Sequence, residues 1–100
     1  MIEPWHARVI AKLADPPTVL WHATTPRKLH RYEQTGAILP PVRGFDTEEA
    51  ARDWARLAKR SMILRLDLRG HRTQALPDHH QATGLAWWTA LRATRWEVCL

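Results

Sequence analysis

Two periods of apolar residues run through this chain, and they predict two kinds of element. In "SMILRLDLR", Met62, Leu64, Leu66 and Leu68 fall on one face and Ile63, Arg65 and Asp67 on the other, which predicts a strand with a core face and a half-polar face. "TVLWH", from Thr18 to His22, is a short run of strand formers. "RWEVCL" alternates Trp96, Val98 and Leu100 against Glu97 and Cys99 and predicts a terminal strand. Helical spacing appears three times. Pro4 suits a first turn, Trp5, Val9, Ile10 and Leu13 lie near one face, and Asp15-Pro16-Pro17 ends the segment. Thr25-Pro26 starts the next helix, with Leu29 and Tyr32 turned inward and Gly36 as its stop. "EEAARDWARLAKR" is the third, with Ala50, Trp54, Leu57 and Ala58 as its apolar stripe. Asp46 and Thr47 cap it, and Asp46 with Glu49 has the spacing of a capping box.

Three stretches are less regular. "AILPPVRGF" reads as an extended segment interrupted by its prolines, which argues against a regular central strand. "GHRTQALPDHHQATG" reads as a loop with a helical turn after Asp78, and "LAWWTALRA" as a helix with Leu85, Trp88 and Leu91 on one side. Helices and strands in this order predict a mixed α+β fold, with residues 1–100 as a single domain.

Composition agrees: 45% hydrophobic and 25% charged residues are the balance of a globular domain. The formal net charge of +5 favours an anionic partner, either a nucleotide, a nucleic acid or an acidic protein, although the arginines are scattered as on a solvated basic surface. A lone cysteine, Cys99, rules out an internal disulfide and fits a reducing compartment. The N-terminal segment carries charge throughout and lacks the apolar run of a secretion signal or membrane span. A cytoplasmic protein that does not enter the membrane is the expectation.

The chemistry centres on His22. It ends the first strand beside the small Ala23 and Thr24, just before a helix N-terminus whose free N–H groups attract anions. It is either a grip on a ribose or phosphate, or a histidine bonded to neighbouring backbone. Arg43, between Pro41 and Gly44, is either a fork for phosphate or a surface arginine. His79 and His80 in "PDHHQ", even with His71, lack metal-ligand spacing and read as solvent-facing. Trp87 and Trp88, as neighbours, point to different sides; either both pack into core or one is exposed, where it would stack a base or anchor a protein.

Residues 19 to 68 resemble the N-terminal half of the ADP-ribosyltransferase fold, in its His-Tyr-Glu or RNA 2′-phosphotransferase-like branch. "VLWHATTPRKLHRYEQTGAILP", "GFDTEEAARDWARLA" and "MILRLDL" follow that family's order of strand ending in histidine, helix ending in glycine, extended segment, alanine-rich helix and strand. The resemblance implies a small split sheet with flanking helices and NAD as cofactor. It places His22 on a ribose with Thr24 nearby, and Phe45 where the family carries a tyrosine against nicotinamide. Glu97 would be the catalytic carboxylate, stabilising charge on the ribose as the glycosidic bond breaks. A surface glutamate on an edge strand is the alternative for Glu97. The implied function is NAD binding with transfer of ADP-ribose to a macromolecule. The rival is a non-catalytic basic module for a protein or nucleic acid, and a toxin-type or phage-type effector of the same fold is a third.

Overall fold

The computed structural model describes residues 15–99, so the helix expected from Pro4 lies outside the described residues. Six strands and two helices follow in the order β1 (Val19–Thr24), α1 (Pro26–Thr35), β2 (Val42–Phe45), α2 (Glu48–Leu57), β3 (Met62–Asp67), β4 (Thr73–Ala75), β5 (Ala86–Thr89) and β6 (Trp96–Cys99). The strands form one sheet in the order β4-β5-β2-β1-β3-β6, and every pairing is antiparallel. Two helices on an antiparallel sheet make this a small α+β domain, as the sequence predicts. Among the described residues no helix is long and apolar enough to cross a membrane.

Local chemistry sets the ends of α1. Thr25 is extended and its hydroxyl accepts the Lys28 N–H at 3.2 Å, while Pro26 supplies the fixed φ of a first turn. Gly36 adopts φ 74° and returns its N–H to the Tyr32 carbonyl at 2.7 Å. Only Leu29 of this helix is fully buried, with Tyr32 packed beside it.

Four expectations are corrected. The segment through Pro40 and Pro41, which are joined by a cis bond, does contain a central strand. β2 begins after the prolines, at Val42, where every residue again has an N–H to give. Thr47, not Asp46, caps α2, accepting the Ala50 N–H at 3.1 Å. The Asp46 carboxylate instead crosses to the β5 side, where it accepts the Leu85 N–H at 2.9 Å and faces the Trp87 indole N–H at 3.4 Å. The buried stripe of α2 is Ala50, Ala51 and Ala55 with Trp54 packed against it, so Ala50 and Trp54 fall where expected. Leu57, by contrast, is 77% exposed and Ala58 is exposed, because in an alanine-rich helix the small side chains rather than the last large one mark the face the sheet approaches. Finally, "AWWT" is strand β5, flanked on both sides by β2 and β4, and the preceding loop contains β4 and a 3₁₀ turn at Pro77–His79. A short apolar run buried on both faces has lost the alternation that would mark it as a strand.

The sheet has a core on each face. On one, Leu20, Val42, Leu64, Leu66 and Trp87 pack with Leu29 of α1 and with Ile38 and Leu85. On the other, Ala23, Phe45, Ile63 and Ala86 meet the three alanines of α2. Trp87 is fully buried and Trp88 half-buried, the division expected of neighbours on opposite faces.

The join between β1 and β2 is the narrow point. β1 registers with β3 over all its residues, from Val19↔Asp67 to Thr24↔Met62, but with β2 only at Trp21↔Phe45. The single six-stranded sheet is therefore narrowest at this point, where β4-β5-β2 joins β1-β3-β6 through one registered residue pair. Beside that pair sits Gly44, where an added Cβ would lie 2.9 Å from both the Leu20 Cβ and the Trp21 carbonyl oxygen. Both atoms belong to backbone or to a side chain's first carbon and cannot swing aside. Gly44→Ala is expected to lower unfolding free energy by about 1–3 kcal/mol, the range for overpacking a tight site. Chemical denaturation of the variant against the native protein measures it.

Candidate functional site

Past the Trp21↔Phe45 pair, β1 and β2 part, and a cavity of about 270 Å³ opens in the gap. His22 and Ala23 of β1 and Arg43, Gly44 and Phe45 of β2 form its base. Lys28 and Tyr32 enter from α1, four residues apart and so on one helix face. Trp54 of α2 and Arg60, just beyond its end, close the opposite side, and Leu76 and His79 come from the connection between β4 and β5.

The His22 ring bridges the gap. Its Nδ1–H donates to the Arg43 carbonyl at 2.7 Å, in place of the backbone ladder that stops there. A carbonyl only accepts, so Nδ1 holds the proton; Nε2 is then the bare nitrogen that accepts the Tyr32 hydroxyl at 3.3 Å. Burial pushes the imidazole below its ordinary value of 6.5; the Arg43 carbonyl opposes that shift, and the charges of Arg60 and Lys28 add to it. His22 is thus a neutral ring of fixed tautomer with a cation on either side.

Of the residues singled out from sequence, the structure brings His22, Arg43 and Phe45 to this one cavity. The backbone-bonded reading of His22 is met by the Arg43 carbonyl, and the ring also lines the open cavity. Phe45 is buried to 6% exposure and tilts against Trp54, with ring centroids 6.3 Å apart. Thr24 is not in the cavity wall. It is fully buried at the end of β1, directly before the cap of α1, and its hydroxyl has no hydrogen-bond partner among the described residues. Glu97 is not in the wall either. It stands exposed on edge strand β6 opposite Arg65, with β3 and β1 between it and the gap, on the order of 10 Å of sheet. No other carboxylate among the described residues lines the cavity.

Lys28, Tyr32, Trp54 and Arg60 were not singled out. Lys28 and Tyr32 carried a signal, because they lie on one face of the helix that follows His22. Trp54 and Arg60 carried none, since only the return of α2 across the sheet delivers them. The remaining candidates take other roles. His80 accepts the Ala86 N–H at Nδ1 at 2.9 Å, so it braces β5 where a solvent-facing ring was expected, while the exposed His79 edges the cavity. The half-buried Cys99 thiol is pushed up by burial and by the nearby Glu48 charge, which keeps it protonated.

The state of His22 ties stability to pH. Below 6.5 the unfolded chain binds a proton on this ring that the folded one still refuses, so stability falls as pH drops from 6.5 toward the lowered folded value, and is flat below it. A thermal midpoint measured across this window should fall on acidification, and His22→Gln should flatten the slope; an unchanged slope would remove His22 as its source. No family model, no curated protein and no solved structure matches this chain.

Proposed function

We propose that this is an ADP-ribosyltransferase-like domain that binds NAD or a related nucleotide in the cleft between β1 and β2. One observation carries the reading: His22, Arg43 and Phe45, chosen from sequence, meet Lys28, Arg60, Tyr32 and Trp54 around one open cavity with no carboxylate in its described wall. Each group has work to do on a nucleotide. The cations attract phosphate, and Arg43 and Arg60 present planar forks that match it. Phe45 and Trp54 offer flat apolar surface to a base. The His22 nitrogen and Tyr32 hydroxyl, already bonded to each other, can take a ribose hydroxyl into the same hydrogen-bond chain. A narrow join within the sheet, with a histidine near the end of its first strand, also supports the resemblance drawn from sequence.

The proposal is one of binding. Breaking a glycosidic bond to nicotinamide asks for a carboxylate near the ribose, and Glu97 stands two strands away. That separation favours the non-catalytic form of the domain over the transferase.

A ligand that binds only the folded state stabilises it by about 2.7 kcal/mol at 100 times its Kd. NAD should therefore raise the thermal midpoint, and both His22→Ala and Lys28→Ala should abolish or reduce the rise. Lys28 keeps the test sound should His22→Ala fail to fold. A rise with a short oligonucleotide but none with any nucleotide would transfer the cleft to nucleic acid and end this reading.

A further inference from the structure

We infer that the cleft is built for a nucleoside carrying a terminal diphosphate, and that Arg60 is the residue that selects it. The inference rests on the nucleotide reading above and narrows it. Size is the first argument. Small-molecule clefts run to about 300–1,000 Å³, and this cavity of about 270 Å³ falls just below that range. A cavity of that size has room for no more than about one nucleotide, so a dinucleotide such as NAD would leave its second half outside.

Charge is the second. Lys28, Arg43 and Arg60 all line the cavity, none is ion-paired among the described residues, and His22 between them is uncharged. A terminal diphosphate brings about three negative charges at neutral pH, because its outer phosphoryl group ionises twice; the diphosphate diester of NAD brings about two. The three cations match the former. Helix α1 adds to the imbalance of the empty protein. Its first turn holds Arg27 and Lys28 and no acid, so cations stand at the positive end of the helix dipole. A bound anion relieves that repulsion.

Arg60 is prepared for the task. Lys59 takes a left-handed φ of 56°, an unfavourable conformation for a residue with a side chain, and the Arg60 N–H then closes onto the Ala55 carbonyl at 2.8 Å. The guanidinium rests on the Trp54 ring, 5.5 Å from its centroid. A fork held in place by stacking loses little freedom when it takes two phosphate oxygens.

Isothermal titration at constant salt with ADP, AMP, NAD and inorganic pyrophosphate tests this. ADP should bind roughly tenfold or more tighter than AMP and NAD, the yield of one further charged hydrogen-bonded contact. Pyrophosphate should compete with ADP. Arg60→Gln should weaken ADP by about that same factor and AMP by distinctly less, and Arg60→Lys should fall between. Should Arg60→Gln not fold, the ligand order on the native protein and the Arg60→Lys value decide. NAD binding as tightly as ADP, ADP no tighter than AMP, or equal losses of ADP and AMP in Arg60→Gln would each overturn the inference while the nucleotide reading stands. No binding of any nucleotide would overturn both.

Discussion

The structure depends on how little holds β1 to β2. One residue pair joins the two halves of the sheet, and it closes only because Gly44 lets the β2 backbone come against Leu20 and the Trp21 carbonyl. Any side chain there would wedge the halves apart. Just beyond, the backbone ladder stops and an imidazole replaces it, with His22 reaching to the Arg43 carbonyl. The same few residues therefore set the fold and the cleft. A continuous ladder would have filled the gap with backbone; an earlier parting would have left two unconnected sheets.

Around this seam the two faces are held by different chemistry. One is packed by large aliphatic side chains and a fully buried tryptophan. The other is thin, alanine against small strand residues, which brings α2 close to the sheet. That closeness positions the cleft's far wall, because Trp54 and Arg60 stand at and just past the end of α2. The start of α2 is fixed in turn by Asp46 and Thr47, whose side chains bond to residues 83, 85 and 87 across the sheet. Cap chemistry at one end of the helix thus reaches the cavity at the other through a rigid element.

Electrostatics sorts the surface in the same direction. The carboxylates that form ion pairs, Glu48, Asp53 and Asp67, take up Arg52, Arg56 and Arg69, each within a few residues in sequence. Among the described residues the cations at the cleft have no such neighbours. Part of the net charge of +5 is therefore gathered around the cavity beside the β1–β2 join rather than spread evenly over the surface.

The sequence by itself determined the elements whose signals are local. Thr25, Pro26 and Gly36 fix α1 through groups within a turn of one another, and the alternation of residues 62 to 68 fixes β3 and its two faces. It marked His22 too, since a histidine late in a strand and shortly before a helix start needs no distant partner to be noticed. Tertiary structure decided the rest. "AWWT" is a strand because β2 and β4 pair with it on either side, and Asp46 left the helix cap because Leu85 and the Trp87 indole drew its carboxylate across the sheet. Glu97 shares an alternation with the last strand but not a cavity with His22, a fact set by strand order alone. Trp54 and Arg60 became wall residues through the return of α2. Hydrogen bonds that close within a few residues are written in spacing; those that join residues tens of positions apart exist only once the chain has brought their partners together.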